Sequence, residues 1–354
     1  MSAELVSLVP NESAARLPPA PKPPVAAAPS TYEELIACSP QGSIYAYPWW
    51  LEALAAGEVE ILELRRGGLL QAAWPLVCIS VDRNRHLRMP PLTQKLGILF
   101  APSTAKPVEQ QSLHQRLCGE LIAKLGEFAT FNQNFHENFT DWLPFHWRGF
   151  SQTTRYTYVL EDIADSAAIW SDMRPHHRKA IRKAQHQGVR VRDELSLDTF
   201  IELYRMTFAR QKLQPPVAEH QIRRIDAALC RNAGRRIFAG VDAQGRVHAA
   251  IYVAWIDGTA YYLMGGSEPS LRGSGAQLLA MWEAVQFAAT VAKRFDFEGS
   301  MLAGVERAFR GFAARQIPYF AISKTSPRPE TLREFLRQSL EFRMQRIRKT
   351  VGGR

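Results

Sequence analysis

Three β-rich runs, residues 236–241, 246–256 and 259–265, are separated only by the short segments 242–245 and 257–258. Connections this tight cannot carry the chain across a sheet, so the runs must be neighbouring antiparallel strands. The flanking elements narrow the fold further. Upstream stand two helices, 197–211 and 218–232, set apart by Pro215 and Pro216, and downstream a glycine turn opens a long helix over 275–292. A strand at 294–298, a helix at 305–314 and a strand at 317–322 complete the series. Before it, TRYTYVL (154–160) alternates like a strand, 166–187 reads as one helix stopped by Gly188, and 189–193 as a further short strand. The expectation is an α/β fold (α+β, mixed sheet).

The first half is less regular. Residues 1–30 are rich in Pro and Ala with few large apolar groups, too few to offset the entropy of ordering, so a disordered leader is expected. Residues 31–150 predict a first α/β lobe, with helices at 32–38, 48–56 and 109–129, strands at 59–64 and 72–79, and a loop broken by Pro and Gly, MPPLTQKLGILFAPS. Residues 151–325 form a second, more complete lobe, of which the first reads as a degenerate copy, and residues 326–354 a basic helical tail. The 354 residues have room for two apolar cores. With no stretch of about 18 apolar residues and no basic start before an apolar run, neither a transmembrane segment nor a signal peptide is expected. Cys38, Cys78, Cys118 and Cys230 lie far apart without a CxxC pair, which reads as neither zinc ribbon nor disulfide framework and suits a reducing cytoplasm.

The formal charge of +10 is concentrated in two strips. Residues 174–192 hold seven basic side chains and no acid, and residues 331–354 hold seven basic and two acidic ones. Such strips suit phosphate-bearing ligands, RNA or an anionic membrane surface, and each also reads as a solvated helix face or a frayed tail.

Two short motifs carry chemistry. In SLRGSGAQLL, Gly273 and Gly275 let backbone N–H groups approach an anion, the following helix start adds partial positive charge, and Arg272 supplies a cation. Ser274 and Gln277 have capping-box spacing. In FDFEGS, Asp296 and Glu298 share one side of a strand and Phe295 and Phe297 the other. Two carboxylates there either face a polar cleft, where one becomes a proton acceptor, or are tied down by Arg294 or Arg315. Glu298, nearer the strand's C-terminal end, is the expected base. No Ser/His/Asp or Cys/His constellation is readable, and His176 and His177 have no ligand partners at metal spacing, so no metal is expected.

RPHHRKAIRKAQHQGVRV (174–191), TAYYLMGGS (259–267), FDFEGS (295–300), RAFRGF and PYF (307–320), together with YAYPWWLEAL (45–54), PPLTQKLG (90–97) and DWLPFHWRGF (141–150), resemble the FemAB-like branch of the GNAT acyltransferase superfamily, in that order and from about residue 41 to 325. The resemblance implies two GNAT-like lobes and direct attack of an amine on an activated acyl carbonyl. It implies that the strand of Tyr261 and Tyr262 splays from FDFEG around the donor. Acyl-CoA is then the co-substrate, held by Met264, Gly265, Gly266, Arg272, Gly273, Ser274, Gly275 and Ala276, although Ser270 stands where GNAT turns carry Gln or Arg. Glu298, Asp296 and Tyr262 become catalytic candidates, Tyr262 as proton donor to the leaving group. Glu268, Ser300 and Arg310 become substrate-binding candidates, with Arg310 where FemX-like enzymes usually have lysine. The competing readings are an aminoacyl-tRNA donor acting on a peptidoglycan precursor, in cell envelope biosynthesis, and an inactive GNAT-shaped binding module.

Overall fold

The computed structural model describes residues 28–193 and 195–326. Its twelve strands are β1 (Glu58–Arg66), β2 (Leu69–Val81), β3 (Asn84–Leu87), β4 (Leu99–Phe100), β5 (Thr130–Asn134), β6 (Ser151–Leu160), β7 (Arg190–Arg192), β8 (Gly234–Val241), β9 (Val247–Ile256), β10 (Thr259–Ser267), β11 (Arg294–Asp296) and β12 (Arg315–Thr325). They form one sheet in the order β1-β2-β3-β5-β12-β6-β11-β10-β9-β8-β7, with β4 paired to β2.

That order is a palindrome. Matching β1 to β8, β2 to β9, β3 to β10, β5 to β11 and β6 to β12 turns one half into the other. Each half contains an antiparallel meander and then, after a helix, a strand parallel to the meander's last member. The final strands are exchanged: β6 pairs with β11, β12 pairs with β5, and β6 and β12 pair with each other at the centre.

One face of the sheet is a core common to both halves. It joins the N-terminal helices Tyr32–Cys38 and Pro48–Leu54 to helices Leu197–Ala209 and Glu219–Asn232 through Leu35, Trp50, Leu51, Phe200 and Ile225. The opposite face carries two separate cores. Helix Pro107–Lys124 covers the first half, and helices Pro175–His186 and Ala276–Ala288 cover the second.

Local chemistry explains the departures from the expected boundaries. Residues 166–187 are two helices, Ser166–Asp172 and Pro175–His186, because the Pro175 ring drives Arg174 out of the helical region to φ −51°, ψ 136°. The long helix begins at Ala276 with Gly275 as its N-cap at φ +83°. The expected capping box does not form, and the Ser274 hydroxyl instead accepts from Ala276 N at 3.3 Å. In the first half, β3 and β4 both pair with β2 and are two ends of one strand position. Between them PPLTQKLG leaves the sheet. Residues 1–27 of the leader and 327–354 of the basic tail lie outside the described residues, whereas the end of the leader is ordered, Pro29 O accepting from Leu70 N and Ser30 N donating to Glu34. No helix among the described residues is long and apolar enough to cross a membrane.

Candidate active site

β10 and β11 run in parallel for three residue pairs, ending at Tyr261 and Asp296, and then part. From Tyr262 to Ser267, β10 pairs with β9 alone, with a register shift between Tyr262 and Met264. Alternate amides of this stretch face the gap, because an antiparallel ladder satisfies only every second residue on each side.

Asp296, at the point of parting, is fully buried. Its carboxylate accepts from Lys95 Nζ (2.8 Å), Thr157 Oγ1 (2.6 Å) and the backbone N–H of Glu298 (2.9 Å). Lys95 is brought there by the segment that interrupts β3 and β4, and it also donates to Glu137 (2.8 Å), which Arg294 meets at 2.6 Å. Burial opposes the Lys95 charge, but Asp296 and Glu137 outweigh it and hold the ammonium above its ordinary range. Lys95 and Arg294 together hold the Glu137 carboxyl well below its usual range. Asp296 is thus held inside the fold by one cation and two further hydrogen-bond donors. The cation beside it is Lys95, not Arg294 or Arg315. Arg294 is bound to Glu137 and Glu161, and Arg315 to Glu161.

Glu298 is different. Strand pairing ends at Asp296, and Glu298 takes the left-handed conformation at φ +58°, followed by Gly299 at φ +50°. The turn aims its carboxyl at the hydroxyl of Tyr45, which donates to it. Enclosure by surrounding side chains, and next the Asp296 carboxylate, push the Glu298 carboxyl well above the carboxylate range, against the lowering effects of Tyr45 and Lys95. Tyr45 stands edge-on to Tyr261 (5.4 Å) and Trp50 (5.2 Å) and is itself raised by burial and by Glu298. Tyr262 is raised by burial first and then by Glu298. Its hydroxyl lies where a Cβ on Gly265 would be, 2.3 Å away.

The glycine turn is a 3-10 segment, Pro269–Ser274. A side chain on Gly273 would meet open space, whereas one on Gly275 would strike the carbonyl of Ala180, 2.3 Å away in helix Pro175–His186. That helix also sends Lys183 to the Gly273 carbonyl (2.6 Å) and packs His177 against Gly311. A cavity of about 420 Å³ opens on the turn, lined by Lys183, Arg246, His248, Ser270 and Ser274 among others.

Residues 171–310 match the family model of an acetyltransferase (GNAT) domain, and residues 119–215 that of the FemAB family. Among solved structures, a crystal structure of FemX superposes with a TM-score of 0.61 at 13% identity, covering 81% of this chain and 94% of that one. A conserved protein of unknown function from Bacteroides thetaiotaomicron superposes at 0.53 with 10% identity, covering 83% and 96%. No curated protein sequence matches.

The chain has the GNAT fold, and the two family matches point to the FemAB-like branch of it. The coarse activity that goes with this fold and these families is acyl transfer.

Within this GNAT fold three expected binding residues lie in local structure. Glu268 accepts from the Ser270 N–H (3.2 Å) and hydroxyl (2.9 Å), capping the 3-10 segment. The Ser300 hydroxyl accepts from Leu302 N. Arg310 is spent on Glu306 one helical turn back (2.6 Å) and is exposed. Met264 and Gly266 face the core helix Leu197–Ala209, where a Cβ on Gly266 would meet Leu203 and Tyr204 backbone at 2.5 Å. Tyr45, Lys95, Glu137 and Thr157 were not among the expected site residues, although Tyr45 and Lys95 fall in first-half segments carrying the family resemblance.

Proposed function

We propose that this protein transfers an acyl group from an activated carrier to an amine, with Glu298 as proton acceptor. The observation that carries the reading is the parting of β10 and β11 immediately before a turned-out glutamate of raised pKa. The amine nitrogen bonds to the carbonyl carbon, and its proton passes to Glu298, which Tyr45 orients. Amides of β10 facing the gap stabilise the oxyanion, and the C–S or C–O bond to the carrier then breaks. The departing thiolate or alkoxide takes up a proton from Tyr262, the β10 phenol whose pKa Glu298 helps raise, and the proton held by Glu298 then restores the phenol. The tied Asp296 positions Glu298 through its backbone N–H.

Acyl-CoA is the first donor reading, supported by the gap and by the cavity at the turn with Lys183 and Arg246. One observation favours aminoacyl-tRNA: helix Pro175–His186 lies against Gly275 and Gly311, on the side where a pantetheine arm would descend, and its exposed Lys179 and Arg182 face outward. Thermal-shift titration discriminates. Acyl-CoA donation predicts stabilisation by CoA that Gly273→Trp removes, with aminoacyl-tRNA inert. Stabilisation by aminoacyl-tRNA alone selects the second donor, and stabilisation by neither rejects the transferase reading.

A further inference from the structure

The palindromic sheet places a second groove in the first half. Helix Pro107–Lys124 follows β4 as helix Ala276–Ala288 follows β10, and the short helix Leu143–His146 follows β5 as helix Ala303–Arg310 follows β11. In the second half, helix Pro175–His186 lies between the two, His177 donating to the Ala308 carbonyl (2.9 Å) and Ala180 abutting Gly275. In the first half the equivalent place is a cavity of about 670 Å³, a volume suited to a small molecule.

The wall chemistry selects among ligands. Among the described residues lining this cavity there is no Lys or Arg, and Asp141 is its one carboxylate. That excludes a copy of the anion seat on the opposite half. Gln111 and Gln115 both donate to Asp141 Oδ2 (3.2 and 2.7 Å), while Asp141 Oδ1 accepts from Leu143 N (3.0 Å). This bracing fixes the carboxylate and leaves the amide oxygens beside it. The imidazole of His114 stacks on Phe100 with centroids 3.9 Å apart and planes 7° from parallel, and burial lowers its pKa, keeping it neutral. Trp142 adds a second aromatic surface.

We propose that this cavity binds a neutral saccharide, its hydroxyl pairs held by the Gln111, Gln115 and Asp141 cluster and a ring face resting on the aromatic wall. Adjacent amide and carboxylate groups, offering donors and acceptors side by side, match vicinal hydroxyls, and C–H faces of a pyranose suit flat aromatic surfaces. The proposal stands independently of which donor serves Glu298.

Saturation-transfer NMR on the full-length protein, with glucose, N-acetylglucosamine and lactose offered separately, tests it. Transfer to at least one sugar is expected, with binding weakened about tenfold or more in Gln111→Ala/Gln115→Ala, and likewise in His114→Lys, at unchanged thermal midpoint. Both sites lie on the exposed or half-exposed face of one helix, so folding is retained. Absence of transfer to all three sugars overturns the proposal, as does transfer undiminished in both variants. Displacement of bound sugar by inorganic pyrophosphate also overturns it, because the wall would then be an anion seat.

Discussion

Glu298 holds a left-handed backbone conformation that costs a non-glycine residue of order 1 kcal/mol, and its neighbour Gly299 could bear no side chain, since a Cβ would sit 2.1 Å from the Tyr156 carbonyl. Strain concentrated at a carboxyl of raised pKa suits the proposed proton acceptor, since the enclosure that raises the pKa also makes the carboxylate more basic. Because the folded carboxyl lies above its ordinary 4.5, its stability contribution is full below that pH and is lost as pH rises through the folded value. Glu298→Gln is therefore expected to abolish most turnover, remove the acid limb of the rate profile, and leave the protein at least as stable at pH 8. Steady-state rates and thermal melts across pH check this, and wild-type turnover in the variant removes Glu298 from the mechanism. Lys95→Met is expected to act oppositely, costing on the order of 3–5 kcal/mol in urea unfolding, because Asp296 keeps its burial and loses its cation. A loss below about 1 kcal/mol would show that the Lys95–Asp296 contact is not what holds the buried carboxyl in place. Asp296 and Glu298 stood out in the sequence as two carboxylates costly to bury without partners, but they do not share a strand face, because β11 ends at Asp296 and Glu298 turns away. Their partners were not legible: Lys95 lies 201 residues from Asp296, and Tyr45 lies 253 residues from Glu298, so no local pattern links them.

Elements repeat this division between local and distant information. The meander of β8, β9 and β10 was readable because two tight turns separate three β-rich apolar runs, which the fold buries over most of their length. Strand β5, TFNQN, escaped notice because its polar residues serve buried contacts: Gln133 accepts from the Trp74 indole and donates to the Pro75 carbonyl. The glycine turn was legible as a turn, but the function of each glycine was not. Gly275 combines φ +83° with the Ala180 carbonyl at its open face, whereas Gly273 faces open space. Gly275→Ala is accordingly expected to lower stability by about 1–3 kcal/mol through strain and helix displacement, and Gly273→Ala to change it by less than about 0.5 kcal/mol. Denaturant midpoints of the two variants decide the matter; equal midpoints would mean that helix Pro175–His186 does not rest on the turn. A bulky residue at 275 is a poor probe of donor binding for the same reason, and position 273 is the appropriate one.

At the scale of the whole molecule, the exchange of final strands determines what can fold. β12 belongs by sequence to the second half, yet it pairs with β5 from Thr130 to Asn134 as well as with β6 from Ser151 to Val159. The common core is shared in the same way, with Trp50, Leu51 and Leu54 packed in one cluster with Ile222, Ile225 and Leu229. A chain beginning at residue 151 would therefore carry a strand, β12, with one edge open along its length, and a helical layer stripped of half its apolar partners. Both conditions favour association over folding, because unpaired interior strands and exposed apolar area recruit other chains. Residues 151–326 expressed alone are expected to aggregate or to lack a cooperative melt, whereas coexpression with residues 28–150 should restore a soluble 1:1 complex carrying the Lys95–Asp296 pair. Size-exclusion chromatography with circular dichroism distinguishes the outcomes. A monomeric fragment 151–326 that unfolds cooperatively would show that the second half needs nothing from the first, and the placement of Tyr45 and Lys95 at Glu298 would then be an ornament of the pairing rather than its reason. The proposed site, built from residues 45 and 95 on one side and 296 and 298 on the other, is assembled only when the two halves share their sheet.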